Sequence, residues 1–243
     1  DLLQLPMLGD HPNSPFPPTS EAFTTPNGLL AWGGDLQPER LLNAYRRGIF
    51  PWYGDDQPIL WWSPAPRCVL DPREAYLSRR TRRRYNSACF RLSMNQAFGD
   101  VVAACAEPRA TPDGADEGTW ITREMAAAYG LLHEAGHAHS LEVWHGDELA
   151  GGIYGLAIGA VFFGESMFSR SSDASKIALL ALCRLLIRQG FELMDCQVAN
   201  PHLERMGAKL IPRDDFENRL EHLVNRAVPT GFWTQAPLFD EKW

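Results

Sequence analysis

The sequence predicts a mixed α/β fold, and three features of its second half carry that prediction. Three strand-like apolar runs stand one after another, the first two joined by an HGDE turn, as in antiparallel strands. A strongly apolar helical run over 175–189 follows and ends at Gly190, a residue typical of helix C-termini. A further short strand over 192–198 comes directly after that helix. The three initial runs are HSLEVW at 139–144, LAGGIYGLAIG at 149–159 and AVFFGESMF at 160–168.

Residues 1–38 are rich in Pro and Gly and are expected to form turns around short apolar contacts, and one more strand, FRLSM, is expected at 90–94. A Pro- and Trp-rich stretch over 49–67 cannot form a regular helix, because proline lacks a backbone donor and clashes with the preceding turn. We therefore predict a small N-terminal domain over 1–66 and a larger domain over 67–243. Helices are expected at about 39–47, 72–84, 95–106, 122–134, 201–206 and 214–226.

The order of elements in the larger domain is compatible with an N-acetyltransferase-like (GNAT) architecture. In that case two splayed strand ends, near GES at 164–166 and DCQ at 195–197, should border one cleft. An acetyl-CoA enzyme of this architecture usually has a Gly-rich pyrophosphate loop before the long helix. This sequence instead has SRSSDASK at 169–176, which contains no glycine. The acyl donor is therefore not expected to be CoA.

The charge distribution indicates a polyanionic partner in spite of the net charge of −7 over 243 residues. Eight Arg and two acids lie between Arg67 and Arg91, which gives this segment a charge of +6 and the remainder −13. RRTRRR at 79–84 spreads cations around most of a helix, so neighbouring acids cannot pair with all of them. The planar fork of Arg suits phosphate groups, although a solvated charged face is the simpler alternative.

The composition also indicates a cytoplasmic compartment. No apolar run approaches the roughly 20 residues of a membrane span, and the first ten residues do not look like a signal peptide. The chain has five Cys and no CxxC, so we expect reduced, mostly buried thiols. They are Cys68, Cys89, Cys105, Cys183 and Cys196.

HEAGH at 133–137 matches the HExxH pattern of zinc hydrolases. That site needs His133 and His137 on one face of a continuous helix. Gly136 falls between the two histidines, and the preceding apolar pattern has the character of a helix that ends there. We therefore expect histidines at a helix end and no metal site.

Two polar motifs at strand ends are candidates for chemistry. In an extended DCQ segment, Asp195 and Gln197 project to the same face, where a carboxylate can orient an amide. Glu165 follows the apolar run AVFF, where an acid is costly unless it is paired or faces a cleft. From spacing alone, both motifs are also ordinary loop formers.

A series of motifs, in order, resembles one family: the leucyl/phenylalanyl-tRNA–protein transferases of the bacterial N-degron pathway. The resemblance extends from about residue 22 to about residue 235. The motifs are PNGLLAWGGDL, YRRGIFPWY, ILWWSPAPR, EGTWITREM, GHAHSLEVW, GGIYG, FFGESMFSR, ASK and DCQV followed by Asn200.

This resemblance implies a small N-terminal domain, a larger domain of N-acetyltransferase-like topology, and a peptide-bond-forming aminoacyltransferase. Leu-tRNA and Phe-tRNA would be the donors, with Met used less well. The acceptors would be proteins with N-terminal Arg or Lys, which the added residue marks for degradation. Neither metal nor CoA is implied, because the aminoacyl ester is already activated.

The resemblance also implies roles for individual residues. Asp195 would orient Gln197, whose amide would hold the attacking amine, and Glu165 would lie beside the cationic acceptor residue. The remaining roles concern the tRNA. The terminal adenosine would stack on Trp52 and would also contact Trp120, Tyr45 and Asn200. The aminoacyl side chain would enter a pocket formed by Ile153, Met167, Leu179 and Met194. The tRNA body would contact Arg79, Arg80, Arg82, Arg83 and Arg84.

The sequence departs from the family pattern in two respects, the pocket residues and the length of one loop. The family has Met in place of Ile153, Phe in place of Leu182 and an aliphatic residue in place of Met194, so the ranking of Leu, Phe and Met stays open. The acidic loop 107–118 is also longer than expected. The competing classes are a CoA-dependent acetyltransferase, a zinc hydrolase and a non-catalytic tRNA-binding protein; a transfer assay distinguishes the last.

Overall fold

The computed structural model describes residues 4–87, 90–110, 116–117 and 121–235, and it confirms the mixed α/β fold. Trp120, Cys89 and residues 111–115 and 118 of the loop 107–118 lie outside these residues. Within the described part, no helix has the length and apolar character needed to cross a membrane.

Residues 4–62 form a small four-stranded sheet, one α-helix and a short 3₁₀ helix at Thr19–Glu21. The strand order is β1-β2-β4-β3, with β1 parallel to β2 and the other pairs antiparallel. Helix α1 begins with Pro38, which suits the first helical turn, and the chain reverses at Gly48 with φ +75°. The elements are β1 (Met7–Leu8), β2 (Leu29–Gly33), α1 (Pro38–Arg46), β3 (Phe50–Pro51) and β4 (Leu60–Trp62).

The remaining chain builds a seven-stranded mixed sheet. Its strands are β5 (Arg67–Leu70), β6 (Arg91–Met94), β9 (Ala138–His145), β10 (Glu148–Ile158), β11 (Val161–Ser169), β12 (Leu193–Gln197) and β13 (Lys209–Ile211). A separate pair consists of β7 (Arg109–Ala110) and β8 (Asp116–Glu117). The helices are α2 (Arg79–Asn86), α3 (Phe98–Cys105), α4 (Arg123–Glu134), α5 (Ala174–Arg188), α6 (Pro201–Arg205) and α7 (Arg213–Leu223).

The order of the large sheet, β13-β5-β12-β11-β10-β9-β6, brings the two candidate motifs together. Strands β9, β10 and β11 form an antiparallel meander, and α5 then crosses over to β12, which runs parallel to β11. The β11–β12 pairing covers three positions and ends at Phe163 opposite Asp195. Beyond that pair no register is shared, so Glu165 and Gln197 lie where the two strands separate.

The predicted basic helix over 72–84 is wrong in its first half. The Asp71 carboxylate accepts the backbone N–H of Arg73 at 3.0 Å and holds a 3₁₀ turn at Pro72–Glu74. The Ser78 hydroxyl accepts the N–H of Thr81 at 3.1 Å and caps the true helix, which begins at Arg79. Two local caps therefore divide the segment, because each side chain satisfies a backbone donor that would otherwise continue the helix.

The two sheets share one hydrophobic core instead of being separated by an open linker. Tyr45 of α1 packs edge-on against Phe163 of β11 with ring centroids 5.4 Å apart, and Trp61 is fully buried in the same cluster. Burying rings of this size contributes about 1.5–3 kcal/mol each relative to exposure. The division into 1–66 and 67–243 stays a prediction.

The geometry of the HEAGH segment excludes a zinc site of the HExxH type. Helix α4 ends at Glu134, and Gly136 turns the chain with φ +85°, so His133 and His137 do not share a continuous helix. The His133 ring stacks on Phe98 at 4.2 Å, and its Nδ1 lies 2.8 Å from the carbonyl oxygen of Ala138. His133 therefore packs as part of the helix end, as the sequence predicted.

Candidate active site

A cavity of about 920 Å³ opens between the small sheet and the separated ends of β11 and β12. Its residues come from both regions and include Gly164, Glu165 and Ser166 on one strand and Cys196 and Gln197 on the other. This arrangement confirms the expectation that the GES and DCQ motifs border one cleft.

Asp195 lies behind the cavity and is fully buried. Its two carboxylate oxygens accept Nε and Nη2 of Arg67 at 2.8 and 2.7 Å, and Arg67 is 1% exposed. The third donor of Arg67, Nη1, reaches the carbonyl oxygen of Gly48 at 2.9 Å, while the guanidinium lies over the rings of Phe50 and Phe216. The two-point contact fixes the carboxylate plane and links the small sheet to the large one.

Gln197 is positioned by a bulge at the end of β12. Asp195 pairs with Val69 and Gln197 with Cys68, which leaves Cys196 as an extra residue. Gln197 has φ +64°, a left-handed conformation that non-glycine residues rarely adopt. Its backbone N–H donates to Oδ1 of Asp195 at 3.0 Å, and this bond holds the unusual turn.

The expectation that Asp195 and Gln197 share a face, and that the carboxylate orients the side-chain amide, is therefore wrong. It assumed a regular extended strand, whereas the bulge turns the Gln197 side chain towards β11. There Nε2 of Gln197 donates to Oε1 of Glu165 at 3.1 Å. Asp195 acts on the backbone of Gln197, and Glu165 contacts its amide.

Glu165 lies in a cage of tyrosines at the inner end of the cavity and is 8% exposed. The hydroxyl of Tyr45 donates to its Oε1 and also contacts the Tyr129 hydroxyl, which donates to Oε2 at 3.2 Å. Burial raises the pKa of Glu165 to about 7, although the tyrosine hydrogen bonds oppose that rise. The carboxyl group therefore changes charge near neutral pH.

Three of these positions correct or extend the sequence analysis. Tyr45 was expected beside the adenosine, but it is 1% exposed, contacts Glu165 and is not among the residues that line the cavity. Tyr129 and Arg67 were missed, because each meets its partner only through the tertiary fold. Two signals in the sequence mark these residues. Tyr129 is a tyrosine on the apolar face of α4, and Arg67 is a charged residue in the otherwise apolar strand RCVL.

The outer wall of the cavity is aromatic. Trp52 is 47% exposed and meets Trp62 edge-on, with ring centroids 5.5 Å apart at an interplanar angle of 68°. The indole N–H of Trp62 donates to the backbone oxygen of Trp52 at 2.6 Å. This hydrogen bond holds Trp62 in place and does not involve the indole ring of Trp52. One face of the exposed indole is free of that edge contact and is suited to stacking.

The predicted apolar pocket forms the inner wall. Ile153, Met167, Leu179 and Met194 all line the cavity, and three of them are almost completely buried. Asn200 lines the rim, where its side chain caps α6 by accepting the N–H of Leu203 at 2.8 Å. Leu182 is buried on α5 and is not among the lining residues.

The basic residues of α2 divide into two groups. Arg80 pairs with Asp173 at 3.2 Å and with Ser172, and Arg84 reaches the Ser172 carbonyl oxygen and lies over Phe90. Arg79, Arg82 and Arg83 are exposed on the outer side of the helix. Arg80, although its side chain is 75% exposed, and Arg84 thus attach α2 to the loop before α5, whereas Arg79, Arg82 and Arg83 form no ion pair with the described residues.

Comparison with known proteins identifies the family. The family model described as leucyl/phenylalanyl-tRNA protein transferase matches residues 69–221, and the model of its N-terminal domain matches residues 34–65. The chain belongs to the leucyl/phenylalanyl-tRNA protein transferase family. The resemblance seen in the sequence motifs is thereby confirmed.

Individual members of the transferase family are similar over nearly the whole chain. The protein from Shewanella baltica strain OS155 is 53% identical over 225 residues, 93% of each chain. The protein from Thiobacillus denitrificans is 55% identical over 219 residues, 90% of this chain and 94% of that relative. Among solved structures, a GCN5-related N-acetyltransferase from Kribbella flavida has 10% identity and a TM-score of 0.38, covering 71% of this chain and 60% of that one.

The buried ion pair makes a prediction about stability. Arg67→Ala or Asp195→Ala leaves an unpaired buried charge and should lower the free energy of unfolding by about 3–5 kcal/mol. Arg67→Met combined with Asp195→Leu removes both charges and should be more stable than either single variant. Urea denaturation followed by fluorescence measures all three. Arg73→Ala, which breaks the exposed Arg73–Asp71 pair, is the control and should change little. A double variant less stable than both single variants would contradict this account.

Proposed function

We propose that this chain transfers Leu or Phe, and less well Met, from aminoacyl-tRNA to the N-terminal Arg or Lys of acceptor proteins. The α-amine of the acceptor attacks the ester carbonyl carbon, a C–N bond forms, and the bond to the ribose oxygen of tRNA breaks. The amine loses a proton and the ribose oxygen gains one. The observation that carries the proposal is one cavity that combines an aromatic wall, an apolar pocket and the Glu165–Gln197 pair in a member of this family.

On the donor side, the cavity offers an aromatic surface next to an apolar recess. The adenine of the terminal adenosine would stack on Trp52, with Asn200 at the rim as a hydrogen-bonding group and Trp120 as a further contact. The aminoacyl side chain would enter the recess of Ile153, Met167, Leu179 and Met194, which offers apolar contact and no charge. This combination favours apolar aminoacyl groups over charged ones, because an ion in the recess would lose its hydration without a partner.

On the acceptor side, Gln197 and Glu165 would handle the amine and its cationic neighbour. The side-chain amide of Gln197 donates through Nε2 to Glu165, which leaves its oxygen to accept a hydrogen bond from the N–H of the acceptor amine. The carboxylate of Glu165 adds negative charge close to the acceptor residue. Asp195 would be a positioning residue, since it holds Gln197 through the backbone bulge.

The proposal requires neither metal nor coenzyme, because the aminoacyl ester already carries the free energy needed for amide formation. The reaction would take place in the cytoplasm, where aminoacyl-tRNA is found. Its product would be a protein with a new N-terminal Leu or Phe, which is a degradation signal in the N-degron pathway.

The decisive experiment combines labelled Phe-tRNA with a peptide that begins with Arg and a matched peptide that begins with Glu. We expect Phe-peptide only from the Arg peptide. Gln197→Ala should reduce turnover about 10²-fold or more with little change in tRNA affinity, because its contacts are to the amine. Asn218→Ala, an exposed amide outside the cavity, is the control. Binding of Phe-tRNA without any peptide product would favour a tRNA-binding protein.

The pKa of Glu165 predicts a pH dependence. Because the pKa is raised to about 7, the carboxylate forms only above that pH, and kcat/KM for an Arg peptide should fall as the pH decreases below 7. Glu165→Gln cannot titrate and should lose this part of the profile. Ionisation of the acceptor amine affects both proteins equally, so the ratio of their rates isolates Glu165. The measurement should cover about two pH units around this pKa, from about pH 6 to about pH 8. A ratio that stays constant over this range would show that the charge of Glu165 plays no part in acceptor binding.

The exposed Trp52 ring predicts a loss of donor affinity. Trp52→Ala should weaken binding of an aminoacyl-adenosine analogue by about 1–3 kcal/mol, while Trp52→Phe should retain much of the stacking. Calorimetry measures both. Trp144→Ala, on β9 outside the cavity, controls for general effects of removing an indole. Equal losses for Ala and Phe at position 52 would show that the ring is not a stacking surface.

The three outward-facing arginines of α2 that do not contact the loop before α5 predict the salt dependence of tRNA binding. Changing Arg79, Arg82 and Arg83 to Gln should flatten the plot of log affinity against log salt, because fewer counterions are released. Activity on aminoacyl-adenosine should be retained, since that donor does not extend to α2. The control changes Arg46, Arg123 and Arg219, which are also exposed, to Gln. Equal slopes for the two triple variants would assign the effect to net charge alone.

A further inference from the structure

The part of the cavity wall formed by α6 carries basic side chains that the proposed transfer chemistry does not use. His202 and Arg205 both line the cavity, and residues three apart lie on the same side of a helix. Glu204, the acid of α6, is not among the lining residues, and Glu165 at the inner end is the acid that the lining residues include. The cavity therefore has a carboxyl group at its inner end and an imidazole and a guanidinium along α6.

The same helix begins with the residue expected to contact the donor adenosine. Asn200 is the N-cap of α6 and lines the rim of the cavity. At about 1.5 Å per residue, the helix rises about 7.5 Å from Asn200 to Arg205. A nucleotide chain that leaves an adenosine at Asn200 thus needs only one nucleotide to reach Arg205.

The other end of α6 adjoins the segment that leads into α2. The backbone N–H of Tyr76 donates to the carbonyl oxygen of Met206, the residue after Arg205, at 2.8 Å. In the same contact, Nζ of Lys209 lies 2.9 Å from the carboxylate of Glu74. Helix α2 begins three residues after Tyr76. Helix α6 therefore connects the cavity to the start of the helix that carries the exposed arginines.

Tyr76 adds an aromatic surface at this junction. It is 62% exposed, although its neighbours Ala75 and Leu77 pack against the hydrophobic core. Proteins bind single-stranded nucleic acid with this combination, because bases stack on an exposed ring while cations contact the phosphates. A peptide acceptor offers no series of phosphates and bases, so the combination favours nucleic acid as the ligand.

We propose that His202, Arg205 and Tyr76 form a path for the single-stranded 3′ end of the donor tRNA, from the terminal adenosine in the cavity to the tRNA body at α2. The path rests on the proposed function, since it presupposes a tRNA donor. Arg205 contacts the phosphate on the 5′ side of the terminal adenosine, and His202 donates a hydrogen bond to the same phosphate. The base of a preceding cytidine stacks on Tyr76. The path contributes donor affinity and takes no part in bond formation.

The experiment compares two ligands that cannot react, Phe joined by an amide bond to adenosine and Phe joined in the same way to the trinucleotide CCA. Calorimetry without any acceptor should show that the natural protein binds the CCA ligand about tenfold more tightly. Arg205→Gln should reduce this gain and flatten the plot of log affinity against log salt by up to about 0.7, the share of one phosphate on a single strand. Tyr76→Ala should weaken CCA binding about fivefold or more without changing that slope, and Tyr76→Phe should retain most of the affinity.

Arg219→Gln is the matched control for the loss of one positive charge. Arg219 is an exposed residue of α7 and is not among the lining residues, so its replacement should leave the gain for CCA intact. Equal affinities of the natural protein for the two ligands would overturn the path, and this result needs no variant to fold. Equal losses in Arg205→Gln and Arg219→Gln would overturn the role of Arg205, because they would show an effect of net charge alone.

Two further outcomes separate the path from other uses of this surface. Arg205→Gln could keep the full gain for CCA but raise KM for Arg peptides that have an acidic second residue. That result would assign the surface to the acceptor and overturn the proposal. A protein that loses the gain for CCA in Arg205→Gln, but makes no Phe-peptide from Phe-tRNA, would contradict the proposed transfer reaction and still support the path.

Discussion

The buried ion pair between Arg67 and Asp195 is the interaction on which the rest of the site depends. Removing two charges from water costs several kcal/mol, and their attraction at best offsets this cost, so the pair is a poor means of gaining stability. Its geometry explains its presence better. Arg67 joins the carbonyl group of Gly48, in the turn between α1 and β3, to Asp195 near the end of β12, and Asp195 in turn holds the backbone of Gln197. One side chain thereby fixes the position of the small sheet and the direction of the Gln197 amide.

Much of the fold was predictable from local signals, and the errors have local causes. Helix α4 agrees closely with prediction because Thr122 caps it and Gly136 ends it, and α5 because its apolar run is long. The prediction of one helix over 72–84 was wrong because the Asp71 and Ser78 caps divide the segment. Helix propensity alone does not show where such a division occurs. The short strands β5 and β13 were missed because three or four residues carry too little periodicity.

The candidate site was predictable in its composition but not in its connections. The motifs correctly indicated that the GES and DCQ segments border one cleft, since Glu165 and Gln197 lie where β11 and β12 separate. The role expected of Asp195 depended on regular side-chain alternation, and a single bulge reverses that alternation. Motif analysis could not identify the partners of Tyr129 and Arg67, because Arg67 is 128 residues away from its carboxylate partner and Tyr129 is 36 away from Glu165. Such contacts are specified by the whole fold.

The start of α5 gives a physical reason why this site suits an aminoacyl ester better than a coenzyme A thioester. A pyrophosphate at a helix N-terminus needs free backbone N–H groups and little negative charge nearby. Here the N–H of Ala174 donates to the Ser171 carbonyl oxygen and that of Ser175 to the Ser169 hydroxyl, at 3.1 Å in both cases. Asp173 already places a carboxylate at this end, where Arg80 pairs with it. A diphosphate at this helix end would have to displace these bonds, whereas the adenosine that we propose to stack on Trp52 would not.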